Sequence, residues 1–152
     1  PPPDTHTRQS SSAASDVYKR QGYFHGVSGD TQHLLVTMIS DDGWVDDYLA
    51  NLRLRLAASS EVARGVLSGA GVGTISSDAG IFFLADVRPM MPDLTWDAED
   101  ALWRRILDAT SVNLTPGSAC QNGEPGFLRV CFASQSIDVM EDALRRVATA
   151  LN

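Results

Sequence analysis

Positive charge is scarce in this chain. Its 152 residues carry 12 Lys and Arg against 19 Asp and Glu, a net charge of −7. No basic stripe exists to neutralise phosphates, which argues against a nucleic-acid partner. Long apolar runs are missing too. Nothing approaches the ~20 residues of a membrane span, and the N-terminus lacks the charged and apolar regions of a signal peptide. The expectation is a cytoplasmic protein with no membrane partner. Cysteine is limited to Cys120 and Cys131. With no second pair of metal-ligand residues nearby, zinc is not expected. Their spacing leaves a disulfide open, although a cytosolic setting favours reduced thiols. Cys131 then reads as a small core residue and Cys120 as a loop thiol.

What is present suits a single domain of α/β class. Residues 1–21 open with three prolines and continue polar, with almost nothing to bury, so disorder is expected there. A helix follows over 31–40, with Leu34, Leu35, Met38 and Ile39 on its apolar side and Asp41-Asp42-Gly43 ending it. A long helix over 44–68 carries Tyr48, Leu49, Leu52, Leu56, Ala63, Val66 and Leu67 as an approximate stripe, and Gly69 and Gly71 stop it. Strands are expected over 72–76 and 81–87, around the turn Ser77-Asp78-Ala79-Gly80. Thr95 or Asp97 can cap the next helix, which turns Ala98, Leu102, Ile106 and Leu107 inward and Asp97, Glu99 and Arg104 outward. A short strand near 113–115 and the Pro116-Gly117 turn lead to another strand around Arg129. The last helix starts near Ser136 and lines up Met140, Ala143, Leu144, Val147 and Leu151. A sheet of a few strands packed by helices buries both.

The run Asn113-Leu-Thr-Pro-Gly-Ser-Ala-Cys-Gln-Asn-Gly-Glu-Pro-Gly-Phe-Leu-Arg129-Val-Cys-Phe-Ala133 carries the clearest chemistry. It is a Pro/Gly-punctuated loop that delivers one arginine into an apolar strand, expected to be buried on both faces. A guanidinium there is costly unless a fixed anion meets it. Its planar fork suits a carboxylate, so Arg129 is a natural receptor for a substrate carboxylate. On spacing alone an internal bridge, with Glu124 for example, is the leading alternative. Asn122 and Glu124 can orient Arg129, close over substrate, or simply be solvated.

Three stretches carry a family resemblance: Phe24-His-Gly-Val-Ser-Gly-Asp-Thr-Gln-His-Leu-Leu35, Asp78-Ala-Gly-Ile-Phe-Phe-Leu-Ala-Asp86, and the run from Asn113 to Ala133. In order and spacing, the chain from Gly22 onward resembles the C-terminal part of a fold-type I pyridoxal-phosphate enzyme. Within the class I/II aminotransferases it is similar to the 1-aminocyclopropane-1-carboxylate (ACC) synthase-like branch. The resemblance implies a small α+β domain at 72–152, a linking helix at 44–71, and the tail of a large cofactor-binding domain at 22–43. It implies pyridoxal phosphate as cofactor, an α-amino acid as substrate and a homodimer. Arg129 would then hold the substrate α-carboxylate. Leu128 stands where an aromatic residue is common, a departure that leaves the carboxylate contact intact. Gly80 is either a close approach to that substrate or a turn position needing positive φ. Ser28 falls in a loop near the active site of the neighbouring subunit.

A Schiff-base enzyme needs a lysine amine. This sequence has one, Lys19, within Ser11-Ser-Ala-Ala-Ser-Asp-Val-Tyr-Lys-Arg-Gln21, a segment that resembles translated adaptor sequence rather than the family. The expectation is that the catalytic lysine, the phosphate-binding residues and the pyridine-nitrogen aspartate belong upstream, and that this portion alone is inactive. Phe24, Val27, Leu34, Leu35 and Met38 would normally pack on the large domain. A non-enzymatic binding or dimerisation module is the alternative. Gly69-Ala-Gly71-Val-Gly73 looks like a phosphate loop, but it leaves a helix for a strand, the reverse of the phosphate-binding order. Asn113-Leu-Thr115 matches a glycosylation acceptor without a secretory context. His25 and His33 lack partners at ligand spacing and read as surface or packing residues.

Overall fold

The computed structural model describes residues 27–75 and 77–151. Residues 1–26, with Lys19, Phe24 and His25 among them, lie outside the described part, as do Ser76 and Asn152. The chain divides between Leu49 and Ala50 into two compact units.

In the first unit, α1 runs over Gly29–Ile39. It starts two residues earlier than the apolar periodicity indicates, because the Ser28 hydroxyl accepts from the Thr31 amide at 3.2 Å and caps it. No residue of α1 is buried, and Leu34 and Leu35 stand 58% and 46% exposed. Helix α2 spans Asp42–Gly69. The Asp41 carboxylate accepts from the Trp44 amide at 3.0 Å, so Asp41, expected to end α1, caps the start of α2.

Within the second unit, the remainder of α2 buries Ser59, Ala63 and Leu67, with Leu56, Val62 and Val66 packed beside them. The expected stripe holds from Leu56 onward, whereas Leu52 is exposed. Gly71, at φ +78, ends the helix. The Gly71 amide reaches the Ser68 carbonyl and the Val72 amide the Leu67 carbonyl, each at 3.0 Å, the two bonds of a Schellman cap. Val72 and Leu67 are both buried, so the glycine-rich stretch is a helix stop sealed by an apolar contact.

Four strands follow: β1 Gly73–Thr74, β2 Phe82–Asp86, β3 Thr115–Pro116 and β4 Phe127–Cys131. They form one antiparallel sheet in the order β1-β2-β4-β3. Strand β1 is shorter than the expected 72–76, and β3 lies later than the expected 113–115, taking in Pro116 from the expected turn. Pro116 cannot donate to a ladder and sits on the edge strand, where proline is tolerated. Helix α3, Trp96–Thr110, is capped by Thr95, whose hydroxyl accepts from the Ala98 amide at 3.2 Å. Helix α4 covers Ile137–Leu151. Arg146 on α4 donates to the Thr110 carbonyl at 2.6 Å, meeting a carbonyl at the end of α3.

The core lies on one face of the sheet. Phe83, Ala85, Leu128 and Val130 meet Leu102 and Ile106 of α3 and Met140, Leu144 and Val147 of α4. The rings of Phe83 and Phe132 stack at 5.9 Å. Strand β4 is therefore less buried on one face than on the other: Leu128 and Val130 are enclosed, while on the other side Phe127 is buried but Arg129 and Cys131 are half-buried. Cys131 is accordingly not a core residue; alternation puts it beside Arg129. Leu128, fully enclosed, should be the most sensitive position of this strand. Leu128→Ala is expected to cost about 2–5 kcal/mol, measured by urea unfolding; a loss within about 0.5 kcal/mol, as at a surface site, would contradict this packing.

Candidate functional site

Register decides what stands on the open face of the sheet. Arg129 pairs across β2 with Leu84 and across β3 with Thr115, and Cys131 pairs with Phe82. The Arg129 guanidinium lies over the Phe82 ring, 4.6 Å from its centroid. Its Nη2 donates to the Thr115 hydroxyl at 3.3 Å. Aromatic stacking and one neutral hydrogen bond hold the fork in place while leaving its other N–H groups unspent. Among the described residues no carboxylate lies within ion-pair distance of it.

The carboxylates of this region serve a different arginine. Arg88 donates from Nε to Asp86 Oδ1 at 2.9 Å and from Nη2 to Asp86 Oδ2 at 2.6 Å, a bidentate pair, and it faces Glu124 at 3.6 Å. The hydrogen bond from Arg88 holds the Asp86 carboxyl below its ordinary range, against the opposing effect of burial, and the same bond raises Arg88. Arg88 also covers the Phe127 ring at 4.7 Å. Glu124 is thus Arg88's partner, and the expected internal bridge to Arg129 does not form.

The loop that delivers Arg129 is tied from beneath. Glu99, expected to point outward, is fully buried. Its Oε1 accepts from the Ser118 amide at 3.0 Å, and its Oε2 from the Gly126 amide at 2.7 Å and, more weakly, the Phe127 amide at 3.4 Å. The reading from sequence followed the rule that charged side chains face water. Glu99 nonetheless stands three residues before Leu102 and seven before Ile106, on the apolar stripe of α3, and that spacing is the signal that was passed over. Close packing of the same loop explains Gly117, where an added Cβ would come within 2.8 Å of the Phe127 carbonyl oxygen. Asn122 buries its Nδ2 without a hydrogen-bond partner among the described residues.

Gly80 adopts φ +92 with nothing within 4 Å of an added Cβ. Its backbone conformation, not crowding, asks for glycine. It lines an open cavity of about 1060 Å³ with Arg53, Ser60, Arg64, Thr74 and Phe132, and Arg129 is not part of that lining. Gly80 and Arg129 therefore do not share that cavity. Ser28, in the other unit, is occupied as a helix cap and bonds the Thr31 hydroxyl at 2.9 Å. Both cysteines are free thiols. Among the described residues no group of His, Cys, Asp and Glu converges as a metal site, and no helix is long and apolar enough to cross a membrane.

The family model for aminotransferase class I and II matches residues 10–147. The chain belongs to that family. The match reaches back past Gly22 into the segment that reads as adaptor-like. Among relatives of this aminotransferase family member, 1-aminocyclopropane-1-carboxylate synthase 6 of Arabidopsis thaliana is 39% identical over 132 residues, which is 86% of this chain and 26% of that protein. The 1-aminocyclopropane-1-carboxylate synthase of Nicotiana tabacum is 36% identical over 135 residues, 89% of this chain and 28% of that protein. The chain thus spans about a quarter of the length of these relatives. An aromatic aminotransferase from Pyrococcus horikoshii shares the fold at a TM-score of 0.65 and 16% identity, over 76% of this chain and 29% of that one.

The Asp86–Arg88 pair makes stability depend on acid. With the folded-state pKa of Asp86 lowered, its contribution is whole above the unfolded carboxylate value of about 4 and is lost as pH falls through the folded value. Asp86→Asn should destabilise at neutral pH, and the gap to wild type should close below about pH 4. Thermal melts across that range check it; a gap of constant size would contradict the pairing.

Proposed function

We propose that this chain is the C-terminal part of a pyridoxal-phosphate-dependent enzyme, an aminotransferase or ACC-synthase-like lyase, in which Arg129 receives the α-carboxylate of an amino-acid substrate. One observation carries the assignment. Arg129 is half-buried and stacked on Phe82, without a carboxylate among the described residues, while Asp86 and Glu124 both serve Arg88. A held guanidinium with unspent donors is what a bidentate anion requires. Family membership and relatives named as ACC synthases support the same substrate class.

Arg129 acts by binding and orientation. A two-pronged grip on the carboxylate fixes the direction of the bonds at the neighbouring Cα, which lowers the entropy barrier of the chemical step. Phe82 screens one face of the guanidinium from water, strengthening its attraction for an anion. Pyridoxal phosphate supplies the electron sink for the carbanion left when Cα loses its proton. The described residues include no lysine that could hold its aldehyde. On the same family reading, the enzyme works in the cytoplasm as a homodimer, Ser28 lies near the partner's site, and Gly80 borders the substrate.

In the full-length enzyme, Arg129→Lys should weaken amino-acid binding by about 1.5–3 kcal/mol, the worth of a charged hydrogen bond. Equilibrium titration with the amino acid measures this, and unchanged affinity would sink the assignment.

A further inference from the structure

We propose that Glu99 is a positioning residue that sets the Arg129 fork before substrate arrives, an inference that rests on Arg129 being the carboxylate receptor. The loop between β3 and β4 is rich in glycine and has few side chains of its own to bury, so loop entropy works against a fixed geometry at its ends. One carboxylate closes both ends. Glu99 Oε1 takes the Ser118 amide, two residues past the end of β3, and Oε2 takes the Gly126 and Phe127 amides, where β4 begins. Strand β3 supplies Thr115, the hydrogen-bond partner of Arg129 Nη2, and β4 supplies Arg129 itself. The two strands that hold the fork are thus pinned to a single group on α3.

The chemistry suits that task. A carboxylate is acceptor-only and offers two oxygens, so it can meet converging N–H donors that no amide side chain can satisfy together. Glu99 is fully buried and its carboxylate faces backbone amides rather than a guanidinium, so it is held by the loop it organises. Arg88 clamps the other side. Its guanidinium covers Phe127, and its aliphatic carbons occupy the space a side chain at Gly126 would need. A loop gripped from both sides has little freedom left, and the cost of ordering Arg129 is met during folding rather than during binding.

Glu99→Gln in the full-length enzyme tests this. The amide keeps the size of the side chain but turns a donor toward one of the loop N–H groups. Affinity for the α-amino acid should fall about tenfold, while affinity for the amine lacking only the carboxylate stays unchanged. Glu99→Asp, which keeps the acceptor, should recover part of the loss. In an Arg129→Lys background, Glu99→Gln should cost nothing further, because the two act on one contact. Equal losses for amino acid and amine would overturn the proposal, as would unchanged amino-acid affinity in Glu99→Gln where Arg129→Lys does weaken binding. If Arg129→Lys has no effect, the carboxylate assignment itself falls, and this inference with it. Amide hydrogen exchange of the wild-type enzyme needs no variant to fold. The Ser118 and Gly126 amides should be protected before substrate is added, and rapid exchange that slows only on binding would overturn a preset fork.

Discussion

Strand β4 must put Leu128 and Val130 into the core, and everything said about Arg129 depends on that demand. Both side chains are almost fully enclosed, and because successive residues of a strand point to opposite faces, their burial forces Arg129 outward. A slip of one residue would exchange the two sets, placing a guanidinium among Phe83, Ile106 and Val147. The hydrophobic free energy of the sheet therefore acts as the aiming device for a charged group. The same register brings Leu84 and Thr115 level with Arg129 and sets Phe82 beneath the fork.

Two arginines share this side of the sheet and meet opposite fates. Arg88 is consumed by Asp86 and Glu124 and serves architecture, laying its side chain over Phe127 and Gly126. Arg129 is held by a ring and a hydroxyl, neither of which cancels its charge. A neutral cradle orders the guanidinium without spending its affinity for an anion. Glu99 extends this division of labour below the surface, since its carboxylate oxygens accept from backbone amides of the loop and not from Arg129.

Helices were the most legible elements, because caps and stripes are local. Thr95 and Gly71 act at the ends where side-chain type placed them, whereas Ser28 and Asp41 prove to be N-caps that the sequence reading gave other roles. The starts of α1 and α2 fell earlier than expected, since a cap admits a turn that carries no apolar residue. Strands were less legible. The run at 72–76 has strand-like composition, yet pairing reduces it to Gly73–Thr74, and the strand expected at 113–115 falls at Thr115–Pro116, taking in a proline expected in the turn, because a ladder forms only where its neighbour offers partners. The candidate site was half legible. Arg129 stood out as a charge inside an apolar run, whereas the ownership of Glu124 and the inward turn of Glu99 did not.

Local sequence was enough to locate the helices, though not every first turn, to show that one strand would carry a guanidinium out of a glycine-rich loop, and to point to the family to which the chain belongs. These depend on neighbours within a few residues or on motif order. Long-range packing settles which face Arg129 occupies, which arginine takes the carboxylates, and which groups meet Glu99. Each of those turns on groups brought together from distant positions, as when a carboxylate at residue 99 meets amides at 118 and 126. A buried charge looks the same in sequence as an exposed one, and only the fold provides the donors that make its burial tolerable.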